Sequence, residues 1–283
     1  MLVTLKEILQ IAEAKKSAVG SFNTPNLESV MSVIGAAEEL NVPVIIMHAE
    51  VHEDLMPLSV IGPIMVEMAK KAKVPVCVHL DHGVTLSYLQ AAVNLGFTSI
   101  MYDGSTLSYG ENVANTCIAV EIAKKTGASV EAEIGVLGKR ELGAGHEDNE
   151  EAPKEVYTDP DDAKRFVEET GIDALACSFG TAHGIYLKKP KLDMSVLDRV
   201  KEKVNIPLVM HGGSGVSEED YKIAINKGVR KINYYTYMAK AGGEAVVSKV
   251  KEKSDNVVYY HDIVLWGSNA MKENVKSALK IFS

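Results

Sequence analysis

An apolar run of strand length recurs along most of this sequence, and each run is followed by a polar or glycine turn and a segment with helical spacing. The eight runs lie at residues 18–23, 42–48, 74–82, 98–103, 129–135, 174–180, 207–212 and 231–236. Because they are continuously apolar rather than alternating, they predict strands buried on both faces of a parallel sheet. Their count and equal spacing favour an α/β fold in which residues 1–283 form a single (β/α)8 TIM barrel, with a doubly wound open sheet as the weaker alternative.

Residues that commonly begin helices stand between these runs. Thr4 followed by Glu7 has the pattern of a capping box, so we expect the chain to open with a helix rather than with a signal peptide. Thr85, Asp159 and Ser217 are predicted to cap three further segments with helical spacing. Helices should therefore alternate with the strands, as a barrel requires.

Composition and charge exclude several classes of partner. The net charge of −8 and the pI near 5.6 argue against a nucleic acid or an anionic membrane as partner. No apolar run approaches the ~18 residues that a membrane span needs. Cys77, Cys117 and Cys177 are far apart and lack metal or redox spacing, which predicts free thiols and a cytoplasmic location.

Polar residues stand at the carboxyl end of every predicted strand. They are Asn23, His48, Asp81 with His82, Asp103, Glu133, His183, His211 and Asn233. In a (β/α)8 barrel these strand ends form the active face. Since an unpaired buried polar group costs about 1–3 kcal/mol, an acid and an imidazole directly after an apolar strand predict a metal or proton-transfer centre.

The three histidines His82, His183 and His211 end predicted strands and two of them precede glycine-rich turns. Three imidazoles with an open fourth position are the usual ligands of a catalytic zinc ion. Asp103 and Glu133 could orient these rings or bind a second divalent or a monovalent cation. The alternative is that each histidine is a hydrogen-bonded core residue, but neutral core histidines have no reason to cluster.

A glycine-rich turn follows the seventh run and leads into the helix that Ser217 begins. Its residues are Gly212, Gly213, Ser214 and Gly215, and the last run adds Asn233 and Thr236. In barrels the last two strands are commonly followed by a phosphate site made of backbone N–H groups and a helix N-terminus. The sequence therefore predicts a phosphorylated small-molecule substrate.

Carbonyl activation by a lysine Schiff base is disfavoured by the placement of lysines. The runs 129–135 and 174–180 contain none, and Lys231 opens the last run, at the opposite end of the barrel. Activation of the carbonyl by a metal ion is the remaining option. Residues 138–157 have no apolar period and are predicted to be either an active-site loop or disordered, with Glu141 as a candidate functional residue.

The polar segment after the second run, which contains His48, Glu50, His52, Glu53 and Asp54, allows two interpretations. It could add ligands to the site, or it could be a solvated loop. The sequence leaves both open.

Several of these segments resemble the class II, zinc-dependent ketose-bisphosphate aldolases. The matching segments, in the family's order, are 21–23, 79–83, 101–105, 131–135, 180–184, 211–215 and 267–268. They span nearly the whole chain. The resemblance implies a metal-dependent aldolase that reversibly cleaves a fructose or tagatose bisphosphate, or a related ketose phosphate, to dihydroxyacetone phosphate and an aldehyde.

The resemblance also implies roles for individual residues. Zinc would bind His82, His183 and His211, with Glu133 and Asp103 nearby. Asp81 would exchange a proton with the C4 hydroxyl, and Glu141 would handle the C3 proton. Asn23 would contact the substrate, and its phosphate would be held by Gly184, Gly212, Ser214, Asn233 and Thr236. The family's habit implies a homodimer or homotetramer.

The chain departs from the family pattern at positions that affect the substrate rather than the chemistry. They are Ala49 after the second run, Lys139 and Arg140, Leu187 with Lys188 after the strand-six histidine, Tyr235 and Tyr237. Two other functions stay open at this point. One is a metal-dependent epimerase or isomerase of a sugar phosphate, and the other is a non-catalytic protein that binds one.

Overall fold

The computed structural model describes residues 1–135, 138–140, 157–186, 189–253 and 257–283. Its strands are β1 (Val19–Asn23), β2 (Val44–Ala49), β3 (Val76–Gly83), β4 (Ser99–Tyr102), β5 (Ser129–Ile134), β6 (Gly138–Arg140), β7 (Ala174–Cys177), β8 (Ala182–Gly184), β9 (Leu208–Met210) and β10 (Val229–Asn233). Eight of them form a closed parallel barrel in the order β1-β10-β9-β7-β5-β4-β3-β2. The predicted barrel fold is confirmed, and each barrel strand falls on one of the eight apolar runs.

The helices alternate with the barrel strands. They are α1 (Leu5–Lys15), α2 (Leu27–Leu40), α3 (Leu58–Lys71), α4 (Leu86–Asn94), α5 (Tyr109–Lys124), α6 (Pro160–Thr170), α7 (Met194–Lys203), α8 (Glu218–Asn226), α9 (Thr236–Glu252) and α10 (Tyr260–Phe282). Within the ranges given above, no helix is both long enough and apolar enough to span a membrane.

The predicted helix starts are confirmed in position, and one of them differs in chemistry. The Thr4 hydroxyl accepts from the Glu7 amide in a complete capping box, and the side chains of Asp159 and Ser217 cap α6 and α8. Thr85 precedes α4, but its side chain makes no capping bond. Glu50 instead fixes the loop just before α4, because its carboxylate accepts the amides of residues 84 and 85.

Helix α1 closes the amino end of the barrel. Its buried face, with Leu5, Ile8, Leu9 and Ala12, packs in one apolar cluster with inward-facing residues that include Ile45, Cys77 and Val209. A second apolar cluster fills the layer between the strands and the surrounding helices. Because the lower interior is apolar and closed, polar chemistry in the interior is confined to the upper half and the carboxyl rim.

A short parallel ribbon of β6 and β8 stands apart from the barrel sheet. Backbone pairing joins Lys139 to His183 and Arg140 to Gly184. The prediction that residues 138–157 lack structure is therefore wrong at their start, where the chain pairs as a strand. His183 lies on β8, six residues after the end of β7, rather than at the end of a barrel strand as predicted.

Candidate active site

Three histidines from different parts of the sequence meet at the carboxyl rim of the barrel. Ring centroids are 4.7 Å apart for His82 and His211, 5.0 Å for His82 and His183, and 6.0 Å for His183 and His211. One ring nitrogen from each lies within 4.8 Å of the others. His82 has a left-handed backbone conformation, with φ of 46°, which is uncommon for a residue with a side chain. Among the described residues Lys16 and Asn41 share it, but they end helices α1 and α2, whereas His82 lies at the rim of the barrel.

Asp103 orients the His82 ring. Its Oδ2 lies 2.7 Å from His82 Nδ1, and its Oδ1 accepts the amide and hydroxyl of Ser105. Burial opposes ionisation, but the hydrogen bonds from His82 and Ser105 lower the pKa of Asp103. Because the Nδ1–H of His82 donates to an ionised carboxylate, Nε2 is the ring nitrogen that can bind a metal.

Glu131 and Glu133 flank the His211 ring on its two nitrogens. Glu131 Oε1 accepts from Nε2 at 2.8 Å, and Glu133 Oε2 lies 3.2 Å from Nδ1 without hydrogen-bond geometry. Burial favours the neutral ring, but the two carboxylates raise the pKa of His211 to about 10. The pocket therefore attracts positive charge strongly, whether it comes as a proton or as a metal ion.

Three polar atoms point into this pocket without a hydrogen-bond partner among the described residues. They are His82 Nε2, His211 Nδ1 and Glu133 Oε2, and all are buried. Buried polar atoms are nearly always paired, so a set of unpaired nitrogen and oxygen donors fits a metal ion better than an apolar core. His82, Asp103 and Glu133 form a second possible ligand group, but it shares His82 with the first, so the two groups describe one centre.

A charged layer lies below the three histidines, inside the barrel. Lys231 Nζ is 2.8 Å from Glu131 Oε2, and both side chains are fully buried. His79 donates to or accepts from Ser99 Oγ at 2.7 Å and lies 3.7 Å from Glu131. The prediction that Lys231 opens the last strand at the opposite end is wrong, because β10 begins at Val229 and carries Lys231 into the interior.

This layer contains residues that the sequence reasoning missed. Burial opposes ionisation of Glu131, but Lys231 and His211 lower its pKa to about 2, so the carboxylate is ionised. Burial and Lys231 lower the pKa of His79 to about 3, so that ring is neutral. The signal in the sequence was their spacing, because His79, Glu131 and Lys231 each stand two residues before a rim residue and therefore face the same way.

Two asparagines hold the carboxylate of Asp81. Asn23 Nδ2 donates to Oδ2 at 3.0 Å, and Asn233 Nδ2 donates to Oδ1 at 3.1 Å. Burial opposes ionisation, but His82, Lys231 and the neighbouring histidines lower the pKa of Asp81. Asn23 and Asn233, expected on substrate and phosphate, thus both contact Asp81, and Asn233 Oδ1 has no partner within the described ranges.

The glycine-rich turn is built for close backbone approach. Gly212 has φ of 61°, and a Cβ there would lie 2.5 Å from the Ala182 carbonyl oxygen. The Gly213 amide donates to the Asn233 carbonyl at 3.0 Å, and Ser214 Oγ accepts the Tyr235 amide at 3.0 Å. The Gly213 amide therefore already has an acceptor within the protein. The hydrogen bonds of the described residues do not test the other predicted phosphate contacts, at Gly184, Ser214 and Thr236.

The polar segment after β2 is neither fully solvated nor part of the histidine cluster. His48 is buried and lies 3.0 Å from the Tyr88 hydroxyl, which donates to Glu53 at 2.5 Å. A short 3-10 helix, Glu50–His52, places His52 against the Tyr235 ring, with centroids 5.6 Å apart. Of the remaining predicted residues, Glu141, Leu187 and Lys188 lie outside the described residues.

The sequence and the fold are both similar to known aldolases. The family model described as "Fructose-bisphosphate aldolase class-II" matches residues 3–283. The 6-phospho-5-dehydro-2-deoxy-D-gluconate aldolase of Halalkalibacterium halodurans is 37% identical over 286 residues, covering 99% of this chain and 96% of the relative. The fructose-bisphosphate aldolase of Geobacillus stearothermophilus has the same identity and coverage. The crystal structure of the YdjI aldolase from Escherichia coli K12 matches with a TM-score of 0.87 and 36% identity, covering 100% of this chain and 98% of that chain.

Proposed function

This chain belongs to the class-II fructose-bisphosphate aldolase family and is an aldehyde-lyase, and on that basis we propose that it cleaves a phosphorylated ketose reversibly to dihydroxyacetone phosphate and an aldehyde. The observation that carries the proposal is the meeting of unpaired histidine nitrogens with an ionised, amide-held Asp81 at one rim. Family membership favours this reaction over a sugar-phosphate epimerase and over a non-catalytic binding protein.

We assign His82, His183 and His211 as the residues that hold zinc, with Asp103 and Glu131 fixing the ring orientations. Bound zinc supplies Lewis-acid polarisation of a substrate carbonyl, an effect worth several kcal/mol. Glu133 stands beside the same centre and contributes negative charge that favours a cation. A second divalent or a monovalent cation stays a prediction.

Asp81 is the proposed base for the C4 hydroxyl. Its two amide partners, Asn23 and Asn233, fix the plane of the carboxylate and occupy one acceptor position on each oxygen. A carboxylate has about four such positions, so room remains for the substrate proton. Because the group is ionised, it can take that proton as the C3–C4 bond breaks and return it in the condensation direction.

The remaining roles rest on the family resemblance. Glu141 is proposed to handle the C3 proton, and Gly184, Gly212, Ser214 and Thr236 to hold the phosphate of the dihydroxyacetone half. Free Cys77, Cys117 and Cys177 support a cytoplasmic location. A homodimer or homotetramer stays a prediction from the same resemblance.

Chelation and an isosteric substitution test this proposal together. Phosphorylated ketoses are incubated with the protein, and the triose phosphate released is measured before chelation, after chelation and after zinc is restored. We expect cleavage to disappear with chelator and to return with zinc. Asp81→Asn should abolish cleavage while retaining zinc at wild-type stoichiometry. Cleavage that ignores the chelator, or an Asp81→Asn variant as active as wild type, would count against the assignment.

A further inference from the structure

We propose that the hydroxyl group of Tyr186 positions the proposed zinc centre and the glycine-rich turn relative to each other, so that zinc and the substrate phosphate each strengthen the binding of the other. This inference rests on the proposed function and deepens it. It assigns a positioning role to a residue that is neither a proposed metal ligand nor a proposed phosphate contact.

One of the three histidines reaches the rim on a segment that is not part of the barrel sheet. His183 lies in β8, which pairs with β6 rather than with a barrel strand. By contrast, His82 lies within β3, and His211 directly follows β9. The register of the barrel strands therefore places His82 and His211, whereas the distance from His183 to His211 depends on how the β8 segment, residues 182–186, is attached to the rest of the rim.

The hydroxyl group of Tyr186 joins the β8 segment to the glycine-rich turn. It accepts the backbone amide of Ala182 at 2.7 Å and donates to the backbone carbonyl of Gly212 at 2.9 Å. Ala182 and Gly212 are both buried, and buried backbone groups require hydrogen-bond partners. Because a hydroxyl can accept and donate at once, this one group satisfies a backbone atom of each segment.

The two joined segments are also in direct backbone contact. A Cβ at Gly212 would lie 2.5 Å from the Ala182 oxygen and 3.0 Å from the Ala182 nitrogen, so the backbones pack together only because no side chain stands between them. Steric contact therefore prevents a closer approach, and separation would break the two hydrogen bonds of Tyr186. The spacing of the segments is fixed in both directions.

Each segment carries a proposed zinc ligand next to a proposed phosphate contact. His183 and Gly184 directly follow Ala182, and His211 directly precedes Gly212. Zinc held by the two histidines would set the spacing of the backbone at Gly184 and Gly212. Phosphate held at the two glycines would set the spacing of the imidazoles. A ligand at either site thus favours the arrangement that the other site needs, and such coupling of two binding equilibria is reciprocal.

The chain offers a second tyrosine for comparison. The Tyr186 ring packs against the apolar cluster between strands and helices, so phenylalanine would keep this packing and remove only the hydroxyl. Tyr221 lies in α8, and its hydroxyl donates to the carbonyl of Gly213. It therefore holds the same glycine-rich turn from the side of α8 rather than from the β8 segment.

Binding of glycerol 3-phosphate with and without zinc measures the coupling. This probe has a phosphate but lacks the carbonyl group of a substrate, and calorimetry gives its dissociation constant for the metal-free and the zinc-loaded protein. We expect zinc to tighten its binding to wild type by about fivefold or more. Tyr186→Phe should lower this coupling factor by about fivefold. In competition with a chelating dye, the same variant should bind zinc about fivefold more weakly, or worse.

Tyr221→Phe is the control for the loss of a hydroxyl at the turn. It should keep the zinc affinity and the coupling factor of wild type, because the β8 segment stays attached. Circular dichroism checks the folding of both variants. Coupling that persists in Tyr186→Phe, or that Tyr221→Phe lowers equally, overturns the role of the Tyr186 hydroxyl. Wild type in which zinc leaves the affinity for glycerol 3-phosphate unchanged overturns the inference, whether or not the variants fold.

Failure of the proposed function gives a different result. The coupling is measured by binding alone and requires no turnover. Wild type that, with zinc, does not exchange the hydroxymethyl hydrogens of dihydroxyacetone phosphate with D2O would lack the aldolase chemistry. Absent exchange with intact coupling counts against the proposed function, and intact exchange without coupling counts against the role of Tyr186.

Discussion

Replacing Lys231 by methionine should destabilise the barrel more than any change of a surface lysine. Lys231 Nζ lies 2.8 and 3.1 Å from the two Glu131 oxygens, and neither side chain is exposed. Removing one partner of a buried ion pair leaves the other charge without compensation and costs about 3–5 kcal/mol. In Lys231→Met the Glu131 carboxylate keeps only its contacts with His211 and His79, so a loss of unfolding free energy in this range is expected.

A double-mutant cycle with Glu131→Gln measures the coupling. Urea unfolding of the metal-free protein at pH 7, followed by circular dichroism, gives the free energy of each variant. Each single substitution should cost about 3–5 kcal/mol, and the double variant should lose less than the sum by about 1–3 kcal/mol. The matched control is Lys222→Met, which breaks an exposed pair with Glu218 at 2.6 Å and should cost under about 1 kcal/mol.

Zinc affinity provides a second readout for the same variants. Glu131→Gln keeps an oxygen that can accept from His211 Nε2 but removes the charge that makes the ring a better ligand. Loss of such an outer partner typically weakens metal binding by about 10–100-fold. The reasoning fails if Lys231→Met is as stable as Lys222→Met, or if the two interior substitutions are strictly additive.

Three further predictions follow from single contacts. Asp103→Asn should weaken zinc binding about 10–100-fold in competition with a chelating dye, because it no longer accepts from His82 as a carboxylate. Gly212→Ala should raise the KM for the phosphorylated ketose, since a Cβ would meet the Ala182 oxygen at 2.5 Å; an unchanged KM contradicts the close approach. Burial lowers the pKa of His48 to about 4, so between about pH 6.5 and pH 4 the unfolded chain binds more protons than the folded one. The free energy of unfolding therefore decreases as the pH is lowered through this range. Comparing unfolding free energies at pH 7.5 and 5, His48→Gln should lose ~2 kcal/mol less than wild type.

The fold could be predicted from sequence because its signals are local. Continuous apolar runs identify strands buried on both faces, and capping residues such as Asp159 and Ser217 mark helix starts. No predicted strand bound differs from the observed one by more than three residues. The ribbon of β6 and β8 was missed because each partner is three residues long and its pairing depends on the finished barrel.

The residues at the rim could also be predicted, but their partners could not. Asp103 was expected to orient one of the histidines, but that this ring is His82, and that Asn233 contacts Asp81, depends on which strand ends face each other after closure. Around the closed barrel β1 lies two strands and β10 three strands from β3, and from there Asn23 and Asn233 both reach the carboxylate of Asp81. Sequence spacing contains no information about such distances.

The positions of the charged residues inside the barrel could have been predicted from the sequence by a simple rule. Side chains two residues apart on a strand face the same side, so a polar residue two positions before a rim residue must point into the barrel as well. His79 stands two before Asp81, Glu131 two before Glu133 and Lys231 two before Asn233. A buried lysine is tolerated only beside an opposite charge, and Glu131 is the carboxylate within reach among the described residues. The orientation of His211 therefore depends, through Glu131, on the Lys231 ammonium group one layer deeper. For this reason substitutions at Lys231 should change the affinity of the proposed metal centre for zinc.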